Sequence, residues 1–93
     1  MKRRLAAILA TDVVGFAALV DKDEGSTLEE VSHVRRDVIE MLVQANRGRL
    51  FKSLGDGFLA EFSSTFEAVK CAIGIQRMMA LRKPVAVGDQ LRL

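Results

Sequence analysis

Several things are scarce in this 93-residue sequence, and each scarcity closes off a class of protein. There is one cysteine, Cys71, so no disulfide forms within the chain, and a reducing cytoplasm is the simplest compartment. There is one histidine, His33, with no cysteine or second histidine at ligand spacing, which argues against a zinc site. Excess charge is also lacking. Fourteen basic against 12 acidic side chains leave a net charge of +2 and give no case for a nucleic-acid partner, which demands a clustered basic face. No apolar stretch approaches the roughly 18 residues that a membrane helix needs, so no membrane association is expected. Lys2, Arg3 and Arg4, ahead of an apolar run, imitate the start of a signal peptide. Asp12 interrupts that run, and residues 6–10 read equally well as a buried strand. Internal repeats and low-complexity linkers are absent as well.

What is present suits one small globular domain: 49% hydrophobic and 28% charged residues are enough to build a core without the bias of a disordered chain. Residues 5–13 are almost continuously apolar, as expected of a central strand covered on both faces. Gly15 breaks the pattern, residues 16–20 suit a short helix, and residues 21–25 are polar and read as a loop. Ser26 and Glu29 have the spacing of a capping box. Leu28, Val31, Val34, Val38, Met41, Leu42 and Ala45 then recur every three or four positions, which predicts an amphipathic helix ended by Asn46 and Gly48. Residues 49–54 and 58–62 form a hairpin around Gly55-Asp56-Gly57, whose glycines allow the positive angles of a tight turn. Phe58, Ala60 and Phe62 share one face. Ser64 and Glu67 offer a second capping box. The helix after it sets Val69, Ala72, Ile73, Gln76 and Met79 on one face, carries Arg82 and Lys83 at its negative end, and stops at Pro84. Cys71, Met41, Met78 and Met79 read as core or partner-facing residues. Leu91-Arg92-Leu93 begins another alternating pattern, so the 93 residues read as part of a domain, cut within the strand that follows the helix at about 64–82.

Strand, helices, strand, strand, helix and the start of a strand make an α+β fold of the ferredoxin-like βαββαβ kind. A right-handed crossover sets the first two strands parallel, with the third between them. The third strand then runs antiparallel to the first, and the Asp56 turn lies beside the end of the first strand at Asp12. Two distant carboxylates meet at one edge of the sheet.

Paired carboxylates at strand ends suit Mg²⁺ or Mn²⁺ together with a triphosphate. Backbone donors at Val14, Gly15 and Phe16, at the start of a short helix, favour phosphate. Taken singly, each feature has a plain structural explanation: an aspartate at a strand end is commonly a cap or turn residue, and Gly-Asp-Gly is a common hairpin device. Their convergence is what raises them together to a candidate site. Lys52, with Leu50 and Leu54 on its own face, either presents an ammonium to a base or phosphate or is a solvated edge-strand lysine. Its spacing alone favours the solvated lysine.

The segments "RRLAAILATDVVGFAALV", "RGRLFKSLGDGFLAEF" and "AVKCAIGIQRMMA" resemble class III adenylate and guanylate cyclases, of the bacterial type common in soil and root-nodule organisms. The resemblance runs from Arg3 to about Ala80. It implies a ferredoxin-like, palm-like βααββα(β) half of a nucleotidyl cyclase domain. It also implies that Asp12 and Asp56 are metal ligands and the catalytic residues of this stretch, with the Val13 carbonyl assisting a second metal. Two ions, Mg²⁺ or Mn²⁺, act with ATP. The amides around Val14, Gly15, Phe16 and Gly55 meet the phosphates, and Lys52 matches the residue that recognises adenine.

In such enzymes the ribose 3′-oxygen attacks the α-phosphate and pyrophosphate leaves, at sites between two subunits. Asp12 and Asp56 then serve one site and Lys52 the other, in a homodimer or with a partner cyclase subunit. The downstream adenine contact and the asparagine and arginine that stabilise the transition state match nothing here, so the 93 residues alone are expected to be inactive or feeble. Two further readings stay open. One is another palm-like cyclase such as a guanylate or diguanylate cyclase, loosely echoed by Gly55-Asp56-Gly57-Phe58. The other is a non-catalytic nucleotide-binding or dimerisation remnant.

Overall fold

A computed structural model describes residues 6–82 of the chain. The leading basic residues 2–4 and the pattern at 83–93 lie outside the described residues. The order is β1 (Ala7–Asp12), α1 (Phe16–Lys22), α2 (Glu24–Val34), a π-helical segment (Arg35–Glu40), α3 (Met41–Ala45), β2 (Arg49–Leu54), β3 (Gly57–Phe62) and α4 (Thr65–Leu81). Strand order is β1-β3-β2, and β3 is antiparallel to both neighbours. The α+β architecture with its third strand between two parallel ones is the one the sequence predicts.

The core lies between one face of the sheet and the helices. Phe58, Ala60 and Phe62 are buried from β3, against Val31, Val34, Val38, Ile39 and Val43 of the long helix and Ala68, Cys71, Ile75 and Met79 of α4. Each full burial of a large aliphatic or aromatic side chain here contributes about 1.5–3 kcal/mol. Burial also pushes the Cys71 thiol above its ordinary value, because the thiolate loses hydration. The β1 strand alternates instead of being covered twice. Ala7, Leu9 and Thr11 are half-buried on the helix side, while Ile8, Ala10 and Asp12 are exposed on the other.

Several local expectations give way to tertiary detail. Helix α1 runs on to Lys22, and the polar loop shrinks to a single residue, Asp23. Asp23 is also the true N-cap of α2: its carboxylate accepts the Ser26 amide at 3.0 Å, so the Ser26–Glu29 box does not form. Along the long helix the buried positions run Val31, Val34, Val38, then Ile39, Val43 and Asn46. The π-helical turn at 35–40 takes up one extra residue and rotates everything after it by one position. That is why Met41, expected inside, is 46% exposed, and why Ala45 is exposed too. Leu28 is outside as well, at 45%.

The helix ends with Arg47 in the left-handed region, φ 60°, and with Gly48 donating to the Val43 carbonyl at 2.8 Å. Gly48 is needed for space: a Cβ there would sit 2.3 Å from the Phe62 ring. In α4 the Ser64 hydroxyl caps the helix by accepting the Glu67 amide at 3.2 Å, as its spacing predicts. The buried face, however, is Ala68, Cys71, Ile75 and Met79, and the predicted one leaves Val69 and Ile73 about half exposed. At its far end Arg82 reaches back to Glu30 on α2 at 2.7 Å and ties the two helices together. No described helix is long and apolar enough to cross a membrane.

Candidate active site at the β1 end and the β2–β3 turn

The end of β1 and the turn between β2 and β3 are fastened to each other. Asp12 lies opposite Gly57 in the antiparallel ladder, and the Val13 amide donates to the Asp56 carbonyl at 2.9 Å. Hydrophobic anchoring explains why this junction is fixed. Val13, the residue after Asp12, is 5% exposed and Phe58, two after Asp56, is 3% exposed, so each aspartate is flanked by a core residue. Asp12 itself is exposed and Asp56 half-exposed. The two aspartates predicted to converge therefore lie beside each other at one end of the sheet, Asp12 closing β1 and Asp56 in the β2–β3 turn.

The next three residues leave the strand in a sharp turn. Gly15 caps α1 with φ 65° and ψ 33°, a left-handed conformation in which a side chain is strained. A Cβ on Gly15 would meet nothing within 4 Å, so its glycine answers a backbone requirement and not crowding by the chain itself. The ground above it is open. Val14 is exposed beside it, while Phe16 and Leu19 pack against the core and hold the start of α1 in place. In the β2–β3 turn only Gly55 takes a positive φ, 30°; Gly57 joins β3 in ordinary extended form.

Lys52 is not where simple alternation puts it. The ladder slips between Leu50 and Lys52: Leu50 pairs with Ala60, Lys52 with Leu59, and Phe51 is the extra residue of a bulge. Ala60 and Leu59 are on opposite faces of β3, so Leu50 and Lys52 are on opposite faces too. Lys52 is exposed on the side away from the helices, which is also the side of Ala10 and Asp12. Across two strand spacings and two residues, the Asp12 and Lys52 backbones are roughly 12 Å apart.

That face carries a feature the sequence reading passed over. Arg49 binds Glu61 at 2.9 Å, with Glu61 largely shielded at 14% side-chain exposure and the Arg49 guanidinium 5.8 Å from the Phe51 ring centre. The signal was available: Glu61 alternates with Ala60 and Phe62, and the hairpin register sets Arg49 against it.

The donor chemistry fits a hard divalent ion held jointly with a phosphate. Both acidic groups offer oxygen only, and among the described residues no cluster of three or more His, Cys, Asp and Glu exists that would form a closed cage. Ions such as Mg²⁺ are commonly bound in this way, by one or two carboxylates plus substrate oxygens and water. A thiolate- or imidazole-seeking metal finds no partner set here.

Comparison with known proteins agrees with this fold. Over 80 residues the chain is 48% identical to a protein named "Putative adenylate cyclase 3" from Rhizobium meliloti (strain 1021), matching 86% of this chain. A crystal structure of an adenylate/guanylate cyclase/hydrolase from Silicibacter pomeroyi superposes with a TM-score of 0.78 at 28% identity, over 94% of this chain. Over most of its length the chain matches adenylate/guanylate cyclases in sequence and fold. The structure of a bacterial light-regulated adenylyl cyclase shares the fold, with a TM-score of 0.74 at 19% identity over 81% of the chain. No family model matches. The chain spans 14% of the length of the Rhizobium protein, and 51% and 40% of the two solved structures.

Proposed function

We propose that this chain supplies the metal-holding half of an adenylate cyclase site. The observation that carries this reading is the Val13–Asp56 backbone bond, which clasps the two aspartate-bearing segments together at the exposed end of the sheet. In this reading Asp12 and Asp56 hold Mg²⁺ or Mn²⁺, with the Val13 carbonyl as a further oxygen. When bound with a triphosphate, such ions neutralise charge on the attacking ribose oxygen and the leaving pyrophosphate. The amides of Val14, Gly15, Phe16 and Gly55 orient the phosphates. Lys52, on the open face, selects adenine in a site completed by a second cyclase subunit, either another copy or a partner. The reaction is the conversion of ATP to cyclic AMP and pyrophosphate in the cytoplasm.

Half a catalytic set gives binding without efficient turnover. The 93 residues by themselves are accordingly expected to bind an ATP analogue with Mn²⁺ and to form little or no cyclic AMP. Titration calorimetry decides the first point. Metal-dependent binding by the wild type that is lost in Asp12→Ala/Asp56→Ala supports the reading, and no binding by a folded wild type sinks it. Cyclic AMP formation by the pure chain that disappears in Asp12→Ala would show that the site is complete after all.

A further inference from the structure

The Arg49–Glu61 pair and the Phe51 ring stand beside Lys52 and have no part in the site as described so far. Their setting follows from the lengths of the paired strands. β2 runs from Arg49, opposite Glu61, to Leu54, opposite Gly57, so six residues face five and one of the six stands outside the ladder. Phe51 or Lys52 can be that residue without disturbing the other pairs. With Phe51 outside, Lys52 pairs with Leu59; with Lys52 outside, Phe51 takes that pairing instead. Leu50 opposite Ala60 and Ser53 opposite Phe58 are common to both arrangements, so the covered side of the sheet is filled alike and burial does not choose between them. The choice falls to side chains on the outward face.

In the structure Phe51 is the residue outside, and its ring centre lies 5.8 Å from the Arg49 guanidinium. That separation is within the roughly 6 Å at which a cation and an aromatic face attract. Arg49 is itself held. Its Nε donates to Glu61 Oε1 at 2.9 Å, and Glu61 is shielded enough to limit screening by water. Glu61, Arg49 and Phe51 thus make a run of contacts that ends on the bulged residue. We infer that Arg49, braced by Glu61, is a positioning residue: it keeps Phe51 as the bulge and so leaves Lys52 in the ladder, on the side of Asp12. A lysine in the ladder has its backbone fixed by the neighbouring strand, whereas a bulged one is unpaired and loosely aimed. The consequence for nucleotide binding rests on the proposed adenine-selecting role of Lys52: the cluster sharpens the choice of base and leaves metal binding at Asp12 and Asp56 alone.

Two readouts on the 93-residue chain separate the positioning role from the adenine reading. The first is register, taken from cross-strand contacts between backbone protons in nuclear magnetic resonance spectra. The wild type is expected to show Lys52 opposite Leu59. Arg49→Ala removes a largely exposed side chain and opens no cavity, so the fold should persist. It should nevertheless move part of the population to Phe51 opposite Leu59, and Arg49→Lys, which keeps the cation, should restore the wild-type pairing. The second readout is titration calorimetry of ATP and GTP analogues with Mn²⁺. Arg49→Ala should lower the preference for the ATP analogue about threefold, toward that of Lys52→Ala, with metal-dependent binding retained. A register unchanged in Arg49→Ala would overturn the inference whatever the calorimetry shows, as would a wild type with Phe51 opposite Leu59. So would a shifted register that leaves a wild-type preference for the ATP analogue undiminished. A wild type that binds neither analogue, or binds both equally, would count against the adenine reading instead, and the register alone would then decide the positioning role.

Discussion

On one side of the three-stranded sheet, Phe58, Ala60 and Phe62 are shut beneath the helices; on the other, Ile8, Ala10, Asp12 and Lys52 look outward. The strands are the same and the ladder is shared, yet the two sides answer to different constraints. The covered side is packed to a tolerance of a single carbon, as the approach of Phe62 to Gly48 shows. The outward side has no such tolerance to satisfy, and it carries two charged residues of the candidate site, Asp12 and Lys52. A close-packed interior responds to lost or added volume, whereas an exposed surface responds mainly to changed charge and binding.

That contrast is open to direct challenge. The largest expected effect is on the covered side: Phe62→Ala should cost about 3–5 kcal/mol, enough to unfold much of a domain this small. Ile8→Thr, on the adjacent strand but outward, should cost well under that, about 0.5 kcal/mol or less. Urea unfolding followed by far-ultraviolet circular dichroism measures both, and equal costs would break the comparison. A smaller effect of the same origin is expected from Gly48→Ala. The added methyl collides with the Phe62 ring and should destabilise by about 1–3 kcal/mol, an effect that Phe62→Leu should partly relieve. The smallest sharpens the point from the neighbouring residue. Arg47 holds a left-handed conformation without touching the core, so Arg47→Gly should raise stability by about 0.5–1 kcal/mol. A loss there would mean that the arginine side chain carries a contact worth more than its backbone strain.

How far the sequence could be read divides along similar lines. Strand order and the meeting of Asp12 with Asp56 were legible, because crossover handedness and hairpin geometry are global rules that few local details disturb. Phase was harder. The face of the long helix drifted after Val38 because a π turn inserts a residue that periodicity cannot foresee. Lys52 changed sides for the corresponding reason in a strand, the bulge at Phe51. The Ser26 cap was displaced by Asp23, since two good capping residues three apart compete and only the chain's entry angle decides between them. In α4 two apolar faces share one helix, and the sequence pattern does not say which one meets the sheet.

The clasp between Val13 and Asp56 has a kinetic side. The β2–β3 hairpin is local and its pairing closes quickly, on the order of microseconds. The pairing of β1 with β3 joins residues far apart in sequence, Ala7 with Phe62, and must wait for the helices between them to collapse. Asp12 and Asp56 therefore become neighbours only when the slowest pairing is complete. An unfinished fold holds each aspartate but not the pair, so the divalent-ion binding proposed for this junction would report arrival at the native topology itself.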